Sequence, residues 1–137
     1  MMTRQDHSFL SVARAFATRA NCSHRNVGAV VVSDGCIIGH GYNKGPDYKI
    51  TCIQGGCPRG LLPPGEGKQD YSDCITVHAE VAALLMAGTF AAQGATLYVN
   101  SEPCFMCYRI AEGAGITRVV WQSDGEHQLH ERHLGKP

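Results

Sequence analysis

With 137 residues the chain has room for one domain with a hydrophobic core of its own, and 12 Lys plus Arg against 12 Asp plus Glu leave it without net charge. That balance speaks against the broad electrostatic attraction that gathers proteins on nucleic acid or anionic membranes, so neither is an expected partner. No apolar run approaches a membrane span, the opening MMTRQDHSFLSVARAF does not read as a signal peptide, and the seven cysteines are odd in number; a cytoplasmic protein with reduced thiols or metal ligands is expected rather than a disulfide framework.

In chain order, Thr3 to Asp6 spells a capping box, and Phe9, Val12, Ala13, Phe16 and Ala20 then recur at helical spacing, which predicts a first amphipathic helix. VGAVVV from Val27 to Val32, the turn SDG and the returning CIIGHGYN predict a β-hairpin, with Cys36 as a core residue of its second strand. Residues 45–73 break the pattern: ten of these 29 are Gly or Pro and no apolar period runs through them. So long an irregular stretch inside a single domain, taken as an insertion over about 45–74, calls for a functional or structural reason. Beyond it the chain alternates. Ala79 to Met86 reads as a helix closed by Gly88, ATLYVN as a strand, Cys104 to Ala114 as a helix between Pro103 and Gly115, and ITRVVWQ as another strand. This alternation predicts an α/β sheet with helices packed on it. From about residue 123 the sequence turns into a polar tail carrying His127, His130 and His133, read as solvated.

Two short stretches carry chemistry, VHAEVA at 77–82 and EPCFMC at 102–107, each at a predicted helix start. Cys104 and Cys107 are three apart and share one face of a helical turn. One imidazole, His78, with two thiolates suits zinc by softness and geometry, and three protein ligands leave a fourth position open, as catalytic zinc sites do. Glu80, two residues after His78, is surplus to that ligand set. Its expected task is proton transfer, from an activated water to a ring nitrogen and a leaving amine. A C-x-x-C alone also fits a structural zinc half-site or a redox pair. The joint H-x-E and P-C-x-x-C pattern is the signature of zinc deaminases.

On these residues, and on VGAVVV, GYNKGP, GATLYV and AGITRVV in the same order, the chain resembles the cytidine and deoxycytidylate deaminase family over about residues 9–122. GYNKGP, CIQGGCPRG and CITVHAE are most similar to the deoxycytidylate (dCMP) deaminases. The resemblance implies a three-layer α/β/α fold with a central mixed sheet, a homo-oligomer, and hydrolysis of the 4-amino group of dCMP to give dUMP and ammonia. SEPCFMC is also similar to guanine deaminases and tRNA adenosine deaminases. A nucleoside, a free base such as cytosine or guanine, another aminated heterocycle or, more remotely, a tRNA therefore stand as alternative substrates. By resemblance, Asn43 would hydrogen-bond the sugar and the Ala79 N–H would meet the base carbonyl. Arg25 is either a planar fork for a 5′-phosphate or a plain surface arginine. Phe105 is either a core aromatic, the expected role, or a border of the base.

Cys22, Cys52, Cys57 and Cys74 remain, three of them in or beside the irregular stretch. Four ligands closing a second, structural zinc would order that loop; reduced, partly buried cysteines are the alternative.

Overall fold

The computed structural model describes residues 2–21, 25–45, 61–63, 66–67 and 76–135. The capping box forms as read: Thr3 Oγ1 accepts from the Asp6 N–H at 3.2 Å and Asp6 Oδ2 accepts from the Thr3 N–H at 2.9 Å. It opens α1, Arg4–Ala17, which lays Leu10, Ala13 and Ala17 into the core with Phe9, Val12 and Phe16 at its margin. The hairpin follows as β1, Gly28–Ser33, and β2, Cys36–Tyr42. Asp34 and Gly35 turn it with φ of 51° and 75°, the two left-handed residues that match a tight hairpin to the twist of its strands. Cys36, expected in the core, is instead exposed: it is the first residue of β2, directly after the turn, at the end of the strand where burial has not yet begun.

The remaining elements are α2, Ala79–Ala87; β3, Thr96–Val99; α3, Phe105–Gly113; β4, Arg118–Trp121; and β5, His130–His133. The sheet runs β2-β1-β3-β4-β5, with β3 and β4 parallel and every other neighbouring pair antiparallel. Alternate residues of the strands feed two separate cores. Ala29, Val31, Leu97, Val99 and Val119 face α2 and α3, while Val30, Val32, Tyr98 and Val120 face α1. Two helical layers on a mixed five-stranded sheet make the three-layer α/β/α arrangement that the resemblance implied.

Glycines decide how closely α2 sits. A Cβ on Gly41 would stand 2.6 Å from the Ala79 carbonyl oxygen and 2.7 Å from Ala82 Cβ, and one on Gly39 would run into the Ala83 carbonyl. The GHG of β2 therefore lets the alanine face of α2 rest on bare backbone, which sets the height of the helix start.

The tail is a correction. HERH, read as solvated, forms the edge strand β5 against β4, anchored by Leu129 and Leu134, each 8% exposed. His130 stacks on Trp121, with ring centroids 5.4 Å apart, and its Nε2 lies 3.0 Å from Glu126 Oε2, the acceptor of the pair; His127 is exposed. At an edge one strand face stays wet, so four polar residues pair without any apolar alternation to announce them.

Under α1 lies a buried ionic knot. Arg118 grips Asp6 with two parallel bonds, 2.9 and 3.0 Å, and Tyr98 Oη donates to Asp6 Oδ1 at 2.6 Å. The Arg118 Nε also donates to Glu131 at 2.7 Å, so α1, β3, β4 and β5 are tied at one point. Burial opposes ionisation of Asp6, but the Arg118 and Tyr98 hydrogen bonds outweigh it and hold the carboxyl well below the usual carboxylate range.

Candidate active site

His78 and Cys104 occupy equivalent positions. Each is the N-cap of its helix, with extended dihedrals (φ −64°, ψ 147° and φ −72°, ψ 166°), and neither side chain caps its helix. The backbone carbonyls do the capping work instead, accepting from Ala82 N and Tyr108 N. Both side chains are thus free to leave the helix starts in the same direction, and Cys107, one turn into α3, joins them. His78 Nδ1 lies 3.3 Å from Cys107 Sγ and 3.7 Å from Cys104 Sγ, and the three donor atoms all fall within 4.8 Å of one another. A tetrahedral zinc with ordinary Zn–N and Zn–S lengths spaces such atoms by about 3.6 Å, so the trio fits the ion. No other group of this kind occurs among the described residues.

Local electrostatics favour a cation there. Cys107 is 1% exposed, and burial, with Glu80 and Cys104 beside it, pushes its thiol far above the usual range. Glu80 is 5% exposed; burial raises its carboxyl, against the opposing pull of its own backbone N–H, of the Arg25 charge and of the Cys107 thiol. Two thiols and a carboxyl packed together in apolar surroundings gain little from one another until a metal ion compensates them. The two helix starts add positive potential at the same spot.

Other predicted site residues surround this centre. Ala79 is the buried first residue of α2, in the turn whose N–H groups lack intrahelical partners. Arg25 is exposed, donates to Ser101 Oγ at 2.8 Å, and its charge is felt at Glu80. Asn43 is 6% exposed and bonded to the backbone on either side of Asn26: its Oδ1 accepts from Val27 N and its Nδ2 donates to the Arg25 carbonyl, both at 2.8 Å. Phe105 is 68% exposed, with Arg109 over its ring at 4.6 Å, so it is no core aromatic; it is the first residue of α3, and Cys107, Tyr108 and Ala111 are the residues that helix buries. It borders an open cavity of about 390 Å³ with Pro103, Tyr108 and Arg132. The paired backbone of Lys44 and Val77, at 2.8 and 3.4 Å, brings both ends of the Gly/Pro/Cys-rich stretch together immediately before His78. Cys22, Cys52, Cys57 and Cys74, the candidates for a second zinc, lie outside the described residues, as does most of that insertion. One residue the sequence reading missed is Asn100, 4% exposed at the end of β3; an Asn directly after a strand and just ahead of the SEPC motif was the only signal for it.

Residues 3–123 match the family model described as the cytidine and deoxycytidylate deaminase zinc-binding region. The chain belongs to the cytidine and deoxycytidylate deaminase family. Among its curated relatives is the deoxycytidylate deaminase of Mycobacterium phage D29, 42% identical over 87% of this chain and 94% of that protein. The deoxycytidylate deaminase of Saccharomyces cerevisiae is 38% identical over 85% of this chain but only 36% of its own length. Among solved structures, the dCMP deaminase of cyanophage S-TIM5 in complex with dCMP and dUMP superposes with a TM-score of 0.69 at 26% identity, over 88% of this chain and 82% of that one. As a family member the chain takes zinc, and His78, Cys104 and Cys107 are the group able to hold it. Among the described residues no helix is long and apolar enough to cross a membrane.

Proposed function

We propose that this protein hydrolyses dCMP to dUMP and ammonia at the His78–Cys104–Cys107 centre. The observation that carries the reading is the convergence of an imidazole and two thiols within 4.8 Å beside a carboxyl that is 5% exposed and is not one of the three ligands. A zinc ion held by the three supplies Lewis acidity, making a water acidic enough to act as a nucleophile near neutral pH. Glu80 serves as the proton carrier: it takes one proton from the attacking water and delivers it to N3 of the cytosine ring, then takes the second from the hydroxyl so formed at C4 and passes it to the 4-amino nitrogen as the C4–N bond breaks, ammonia leaves and the C4 carbonyl forms. Its burial keeps bulk water from competing for that proton, and its place in the first turn of α2 holds it beside His78. The Ala79 N–H, at the start of the same helix, donates to the base carbonyl in this reading. Arg25 meets the 5′-phosphate, a pairing its forked, permanently charged guanidinium suits.

The 42% identity to a relative named deoxycytidylate deaminase, across nearly the whole length of both chains, supports the nucleotide rather than a free base. Ammonia release measured on dCMP, CMP, deoxycytidine, cytosine, guanine and adenosine tests the reading. We expect dCMP to lead, with a phosphate contact worth about 10- to 150-fold in kcat/KM over deoxycytidine; a preference for guanine or adenosine, or equal rates with and without phosphate, would overturn it. The exposed apolar side chains on α2 and α3, Leu85, Met86, Phe105 and Met106, support a homo-oligomer, for which sedimentation velocity is the direct check.

A further inference from the structure

Two asparagines at the ends of different strands hold one short backbone segment from both sides. Asn43 follows β2. Its backbone N–H donates to the Val27 carbonyl at 3.2 Å, its Oδ1 accepts from Val27 N, and its Nδ2 donates to the Arg25 carbonyl. Asn100 follows β3 and repeats the pattern one residue on. Its N–H donates to the Gly28 carbonyl at 3.3 Å, its Oδ1 accepts from Gly28 N at 2.8 Å, and its Nδ2 donates to the Asn26 carbonyl at 3.1 Å. Each side-chain amide thus stands in for a peptide unit of a neighbouring strand. The ladder of β1 continues backwards past the point where β2 and β3 stop pairing with it, to Arg25 on the β2 side and to Asn26 on the β3 side.

The segment so held ends in Arg25, an exposed side chain whose guanidinium is tied to Ser101, the residue directly after Asn100. A solvated surface arginine needs no such support. Two buried amides spent on the backbone at its root, and a hydroxyl at its head, remove freedom that an arginine reaching for an anion would otherwise lose on binding.

We propose that Asn100, paired with Asn43, is a positioning residue that presents Arg25 to the 5′-phosphate of the substrate. This rests on the reading of Arg25 given above. It assigns Asn43 a backbone-holding role whether or not its second amide hydrogen also reaches the sugar, it brings in Asn100, and it gives Ser101, the first residue of SEPCFMC, a role of its own.

The test is a double-mutant cycle read as the ratio of kcat/KM for dCMP to that for deoxycytidine, in zinc-loaded protein whose folding is checked by circular dichroism. In wild type the ratio is expected at about 10- to 150-fold. Arg25→Ala should bring it near one. Asn100→Ala should lower it at least about fivefold, through KM for dCMP rather than kcat, because the amide acts by placing a binding group. Arg25→Ala/Asn100→Ala should have the ratio of Arg25→Ala alone. Asn100→Ser, a smaller polar replacement, carries the test should the alanine variant not fold. A ratio that collapses in Arg25→Ala but survives in both Asn100 variants, equal losses on both substrates, or effects that multiply in the double variant would overturn the positioning role and leave the phosphate reading intact. A wild-type ratio near one would overturn the phosphate reading, and this role with it. Relaxation of the Arg25 side-chain 15Nε gives a readout without substrate: ordered in wild type, disordered in Asn100→Ala, and unchanged order counts against the clamp.

Discussion

The two faces of the sheet bury acidic groups in opposite ways. Under α1, Asp6 is 2% exposed and meets a guanidinium by two bonds, a phenol and a backbone N–H, so its carboxyl is held well down. Under α2 and α3, Glu80 is nearly as buried, yet no guanidinium among the described residues grips it as Arg118 grips Asp6; burial outweighs the pull of its own backbone N–H, of the Arg25 charge and of the Cys107 thiol, and its carboxyl is pushed up. The first cluster is complete without any ligand and locks four elements together. The second is compensated only when a cation joins His78, Cys104 and Cys107. Burial of charge alone does not separate a structural site from a functional one. Whether the protein itself supplies the counter-charge does.

The contrast can be broken at either cluster. The largest expected effect is at Glu80: Glu80→Gln keeps the shape and loses the proposed proton carrier, so turnover should fall about 10²- to 10⁴-fold while metal analysis still finds zinc bound. Zinc loss and activity loss together would make Glu80 part of the metal site instead. Next comes Asp6→Ala, which takes from Arg118 its buried partner and leaves it the Glu131 carboxylate, and should lower unfolding free energy by about 3 kcal/mol in urea titration, with zinc-loaded activity per folded molecule retained. A loss below about 0.5 kcal/mol would mean that the knot is mere surface pairing.

The same carboxyl sets a pH signature. Its folded pKa lies below its unfolded one, so the stabilisation is fully present above the unfolded value and is lost as pH falls from about 4 towards the depressed folded value. Urea midpoints should therefore drop along that acid limb, and Asp6→Asn should flatten it; an unchanged limb would assign acid sensitivity to other carboxylates. Smallest is Thr3→Ala, which removes one arm of the capping box and should cost about 1 kcal/mol in the same titration.

Much of the molecule was legible because its signals are local. The capping box at Thr3, the Asp-Gly turn, the Gly stops after the helices and the strand periods each depend on residues within a few positions of one another. The zinc trio was legible for a different reason: softness and coordination number restrict ligands so tightly that one His and a Pro-Cys-x-x-Cys suffice even across 26 positions. Legibility ended where burial was decided by distant partners. Phe105 and Cys36 are apolar enough for a core, but α3 and the hairpin tip turn them outward. HERH is polar enough for a tail, but β4 offers an open edge and Leu129 and Leu134 pin it there.

By itself, then, the amino-acid sequence determined the order of the elements, the group able to hold a metal ion and the family, since these follow from short-range propensity and from ligand chemistry that tolerates few substitutes. Only the tertiary structure decided that Asp6 pairs with Arg118 across 112 positions, that the tail closes the sheet as β5, and that Asn43 and Asn100 converge on the backbone behind Arg25. An amide or a carboxylate accepts many partners at similar free energy. Which one it meets is set by how the layers pack, and no local pattern in the chain records that.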